Sequence, residues 1–200
     1  MALALLCAGA LGTPLRTTAR PETDAQSCTT HAKALLVRLK SVLEAALDQK
    51  RSVMFNGFNC TELSVIVVPH SQTPSICQPS QHVTCSSQSS QSFNKNECLK
   101  NITGDLQYYR SMLNTYVKSL DQTKSQTITD LTSITDSIQT LQKNCQPLQN
   151  TEEQQTENWK PKGQAFEDRM DLCKQLKGFH IRAITINRAL GYISAEADNS

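Results

Sequence analysis

Cysteine is the residue type with the most chemistry to offer here. Of eight cysteines, Cys7 lies in an apolar N-terminal run, and Cys28, Cys60, Cys77, Cys85, Cys98, Cys145 and Cys173 are dispersed along the rest of the chain. No two of them form a C-x-x-C pair, so the pattern points to disulfides in an oxidising compartment rather than to zinc knuckles. An odd number outside the leader leaves one thiol free or bonded to another chain. Cys77, His82 and Cys85 lie close together in sequence. They lack the paired-cysteine spacing of a metal site, and an exported chain would oxidise those thiols first. His31, His70 and His180 are scattered. No G-x-S-x-G, H-E-x-x-H or phosphate-cradling glycine loop occurs. Asp168 and Asp171 resemble a carboxylate pair, but they fall in the opening turns of a predicted helix, where acids favour the positive end of the dipole. The sequence therefore predicts no catalytic residue, no metal site and no cofactor.

Two features fit export. Residues 1–12, MALALLCAGALG, have the apolar core of a secretory signal, with Ala8 and Ala10 as cleavage-type small residues, although no basic residue precedes them. The cleavage site stays open. Asn59-Cys60-Thr61 and Asn101-Ile102-Thr103 are glycosylation sequons, which makes Asn59 and Asn101 candidate glycan sites. No later segment approaches the roughly twenty apolar residues of a membrane span. Twenty basic against eighteen acidic residues give +2, which points to neither nucleic acid nor a membrane surface.

Low aromatic content and apolar residues at helical spacing predict an all-α fold in one domain. After a polar tail over residues 13–23, a domain is expected over residues 24–195, with a short C-terminal tail at 196–200. The first helix starts near Asp24 or Ser27, with Cys28, Ala32, Leu35, Leu39, Val42 and Ala46 on one face, and fades near Gly57. The run LSVIVV, residues 63–68, reads as a strand or an apolar loop segment. Pro74, Pro79 and the serine and glutamine tract behind them argue against another regular element. A second helix carries Leu99, Ile102, Leu106, Tyr109, Leu113, Tyr116 and Leu120. A third carries Ile128, Leu131, Ile134, Ile138, Leu141 and Cys145, and Pro147 stops it. The fourth spans residues 164–193. Connections that run long, short and then intermediate favour an up-up-down-down bundle with two crossovers over a simple up-down-up-down one.

The fourth helix has one apolar seam for the bundle: Leu172, Leu176, Phe179, Ala183, Ile186, Leu190 and Ile193. Beside it runs a second stripe of Ile181, Ile184, Thr185, Arg188 and Tyr192. Either this stripe docks a partner, or it widens the core seam with Arg188 on its solvated edge.

The segment DLCKQLKGFHIRAITINRALGYIS, residues 171–194, resembles the final helix of the interleukin-12 alpha chain family. The segment CLKNITGDLQYYRSMLNTYV, residues 98–117, resembles its second helix, and SCTTHAKALL, residues 27–36, matches the first more loosely. The resemblance implies a secreted long-chain cytokine subunit that pairs with a receptor-like beta chain and acts through cell-surface receptors on natural killer and T cells. A sister chain of the interleukin-23 or interleukin-27 kind is the near alternative; a secreted carrier of lipid or hormone is the distant one. The resemblance also implies that Arg188 enters a pocket of the beta chain, with Thr185, Arg182, Ile181, Ile184 and Tyr192 around it. Residues 174–192 hold four basic side chains and no acid, a bias that would favour encounter with an acidic surface. Finally, it implies the disulfides Cys28–Cys85, Cys60–Cys173 and Cys77–Cys98, which leaves Cys145 as the free or interchain thiol.

Overall fold

A computed structural model describes residues 24–47, 53–78, 94–149, 159–163 and 165–198. The expected leader, the N-terminal tail, His82 and Cys85 lie outside the described residues. Six α-helices are described: α1 (Asp24–Leu47), α2 (Thr73–Ile76), α3 (Lys95–Ser119), α4 (Ser125–Asn144), α5 (Gln146–Gln149) and α6 (Ala165–Asp198). Four of them are long. Each turns its predicted seam inward: Leu35 and Leu39 of α1, Ile102 and Leu106 of α3, Ile134 and Ile138 of α4, and Leu176 and Phe179 of α6 are all essentially fully buried. These side chains belong to one continuous core along the bundle axis.

Three helix pairs set the directions. Ser27 Oγ donates to the Asn144 carbonyl at 3.0 Å, and a Cys28–Cys145 disulfide lies beside it, so the start of α1 meets the end of α4. The two run antiparallel. Only a 3₁₀ turn at Gln122–Lys124 separates α3 from α4, which makes them antiparallel too. On α6, Arg182 meets Asp105 in the first half of α3, while Trp159, ahead of α6, packs on Tyr116 near the end of α3, with ring centroids 5.8 Å apart. Thus α1 and α3 are parallel to each other and antiparallel to α4 and α6. This is the up-up-down-down arrangement, with α1 packed along both α6 and α4.

Local chemistry explains the boundaries. Asn94 caps α3 by accepting the Glu97 amide at 3.1 Å. Pro147 does not merely stop α4: the helix ends at Asn144, Cys145 is extended, and Pro147 sits in the opening turn of α5, where its missing N–H costs nothing. The described part of α1 ends at Leu47, short of Gly57, which lies in a separate turn with φ +92°. Residues 63–68 form a strap that starts extended at Leu63 and belongs to no strand among the described residues, and α2 follows as one turn with Pro74 at its start, where no regular element was expected. At the other end α6 continues to Asp198, into the residues assigned to a tail. None of the described helices is long and apolar enough to cross a membrane.

The disulfides correct one expectation. Cys60 bonds Cys173 and Cys77 bonds Cys98, but Cys28 bonds Cys145 rather than Cys85. Cys145 is therefore neither free nor available to another chain. The reason is the antiparallel packing of α1 and α4, which brings the two Cα atoms within 4.6 Å, inside bonding reach. With Cys77 also bonded, a Cys77–His82–Cys85 metal site loses a ligand. Among the described residues no cluster of three or more histidine, cysteine or acidic side chains could hold a metal.

Candidate partner-docking face

The long helix α6 divides its circumference among three tasks. Its inward seam builds the core. Its outer face divides in two along its length. The earlier part is covered by the strap, and the later part, from Ile181 onward, is open. The strap is fastened at several points. Cys60 bonds Cys173. Lys177 Nζ donates to the Cys60 and Thr61 carbonyls at 3.2 and 3.1 Å and also reaches that of Leu63. The Ile66 amide donates to the Lys174 carbonyl at 3.2 Å.

Gly178 makes that crossing possible. A Cβ at this position would lie 1.8 Å from the Ile66 carbonyl oxygen and 2.8 Å from its carbon. The obstacle is backbone, held at both ends, so it cannot rotate aside. In a free helix Gly→Ala gains about 1 kcal/mol. Here we expect Gly178→Ala to lose about 2 kcal/mol net, the scale of an overpacked core, read as a lower urea midpoint. A midpoint at or above that of the parent chain would show that the strap yields freely.

The open part of the face carries Ile181 and Tyr192, each 50% exposed, the exposed Arg188, and the partly buried Ile184 and Thr185. The Thr185 hydroxyl is turned back onto the Ile181 carbonyl at 3.5 Å. Among the described residues no carboxylate pairs with Arg188. These five side chains come together on one surface, and none of them belongs to the bundle core.

Arg182 does not join them. It stands about 120° around the helix from Arg188 at ~100° per residue, is only 4% exposed, and its Nε lies 2.9 Å from Asp105 Oδ2 on α3. A face-lining role for Arg182 is therefore corrected to an internal ion pair. Asp105 Oδ2 also accepts the Thr73 hydroxyl of α2 at 2.6 Å, and Ser71 bonds Thr73 in turn. The cluster ties strap, α3 and α6 together. Arg182 Nε sits off the line of an aligned hydrogen bond, and Nη1 has no partner among the described residues. Compensation is thus incomplete. Burial pushes the Asp105 carboxyl above its ordinary pKa, against the opposing pull of Ser71, Thr73 and Arg182.

The basic bias of the helix changes meaning as a result. Lys174 pairs with Asp171 at 3.6 Å, Lys177 holds the strap, and Arg182 is buried. Only Arg188 of the four cations faces outward without a described partner. The two acids near the helix start also have structural work. Asp168 accepts the Lys162 amide at 2.8 Å, and Asp171 pairs with Lys162 Nζ at 3.0 Å.

Sequence reading missed Asp105, Thr73 and Gly178. Asp105 carried a faint signal, as an acid between Gly104 and Leu106 on an otherwise apolar face. Gly178, inside a strong helical pattern, carried another. Of the sequons, the partly buried Asn59 caps a 3₁₀ turn by accepting the Thr61 amide at 3.1 Å, while Asn101 lies within α3, its Nδ2 donating to the Glu97 carbonyl at 2.9 Å.

No curated protein matches this chain. Residues 1–196 match the family described as interleukin-12 alpha subunit. A family match over nearly the full length, joined to a two-crossover four-helix bundle stapled by disulfides, leads to one assignment: the chain belongs to the interleukin-12 alpha subunit family.

Proposed function

We propose that Arg188, framed by Ile181, Ile184, Thr185 and Tyr192, is the anchor by which this chain seats its beta chain. Family membership makes the protein a secreted cytokine alpha chain that pairs with a beta chain and acts through cell-surface receptors, not by catalysis. The observation that carries the site is the contrast along α6: three of its four mid-helix cations are held by the chain itself, and Arg188 is exposed between two half-exposed apolar side chains. A guanidinium suits this role because its fork binds a carboxylate bidentately while its stem packs against apolar neighbours. The outcome expected from the family is activation of natural killer and helper T cells. Arg188→Ala tests the site: the variant should be secreted and folded, yet bind the purified beta chain roughly a hundredfold more weakly.

The disulfide pattern also redirects the covalent link. With Cys28, Cys60, Cys77, Cys98, Cys145 and Cys173 bonded among themselves, the remaining cysteine beyond the leader is Cys85. We assign the interchain bond to it. Co-expressed with the beta chain, the parent should migrate as a covalent pair on a non-reducing gel. Cys85→Ser should migrate as separate chains that still associate in solution. A Cys85→Ser pair that stays covalent would overturn the assignment.

A further inference from the structure

The strap contributes to the same docking surface. Along residues 65–68 its side chains alternate: Val65 and Val67 are 40% and 49% exposed, Ile66 between them is partly buried, and Val68 is buried. An extended segment lying on a helix must turn alternate residues outward, but it need not make both of them β-branched and apolar. Single exposed apolar residues are ordinary on a protein surface. A contiguous group is not, and marks an interaction site.

The group is contiguous because of how tightly the strap is set. The Ile66 amide is bonded to the Lys174 carbonyl, and the Ile66 carbonyl lies against Gly178. Ile181, the first residue of the open face, is three positions beyond Gly178, a rise of about 4.5 Å. The strap crosses the outer side of α6 immediately before the point at which that side becomes open. Val65 and Val67 thus stand as a rim at one end of a surface whose other end is Tyr192.

We propose that Val65 and Val67 form this apolar rim of the beta-chain docking surface, continuous with the Arg188 face, so that the beta chain contacts strap and helix together. The inference rests on the reading that Arg188 seats the beta chain. The beta chain is the occupant because the rim and the helix face form one surface, and a partner bound over Ile181 has no gap to leave before the strap. The arrangement also gives Gly178 and the Lys177 contacts a consequence for binding: they hold the rim at a set height above the helix.

The test uses the secreted full chain and the beta chain in a surface-binding measurement, with Arg188→Ala run in parallel. Val65→Asp/Val67→Asp should raise Kd at least tenfold with the thermal midpoint unchanged. Val37→Asp, on α1 and also exposed, should bind as the parent does. Should the double aspartate variant unfold, Val65→Ser/Val67→Ser removes the apolar area without adding charge and should raise Kd at least threefold. Parental affinity in a folded rim variant while Arg188→Ala is weakened overturns the rim and leaves the Arg188 site standing. Parental affinity in both removes the Arg188 site, and the rim with it. A rim variant that pairs normally with the beta chain but loses receptor binding also overturns the proposal, by giving the strap to a receptor.

Discussion

Arg188→Ala is expected to weaken association with the beta chain roughly a hundredfold, about 3 kcal/mol, the scale of an interface hot spot. The expectation follows from position. Arg188 is exposed, is paired with no described carboxylate, and projects between Ile181 and Tyr192. Burying those neighbours against a partner would remove water from around the guanidinium and strengthen its bond to a carboxylate. The loss should appear mainly as faster dissociation. Folding should be indifferent: a surface side chain without a partner among the described residues contributes within about 0.5 kcal/mol. Arg188→Lys should recover only part of the affinity, because an ammonium lacks the planar fork. Titration of the variants against the purified beta chain, with circular dichroism as a folding control, checks this. Unchanged affinity in Arg188→Ala would remove the site.

The second large effect belongs to the other arginine and has the opposite character. Arg182→Met is expected to cost about 3 kcal/mol of stability at neutral pH, because it leaves the Asp105 carboxylate buried without its counter-charge. The cost should depend on pH in a stated direction. Burial already raises the Asp105 carboxyl above its ordinary value of 3.8, and Arg182 pulls it down. Removing Arg182 raises it further. A raised acid contributes stability that is complete below its unfolded pKa and is lost as pH rises through the folded one. The gap between parent and variant should therefore be small near pH 4 and widen as pH rises. Urea unfolding at several pH values would show it. A gap that narrows with rising pH would mean that the pair is not what holds Arg182.

Two arginines six residues apart on one helix thus divide the work. One tethers the crossover to the bundle; the other is left for a partner. Loss of Arg182 should affect binding only as far as unfolding does, while loss of Arg188 should affect binding alone. Measuring both quantities for both variants separates the roles.

Much of this bundle is legible in the order of its residues. The four long helices, their inward seams and the crossover order follow from apolar spacing and connection length, since a helix that buries a stripe must write it at steps of three and four. The second stripe on α6 was legible for the same reason. Which basic residues lie inside depends on how the helices pack. Spacing already sets Arg188 in that stripe and Arg182 off it, but only the approach of α3 and α2, bringing Asp105 and Thr73 to Arg182, shows that Arg182 is buried in an ion pair. Tertiary structure also decided that Cys28 bonds Cys145, because pairing depends on which helix ends meet in space, and distance along the chain carries no information about that. The same holds for Gly178: a helix pattern shows that a glycine is present, but the backbone that crosses over it comes from more than a hundred residues away, and contacts between distant segments arise only on folding.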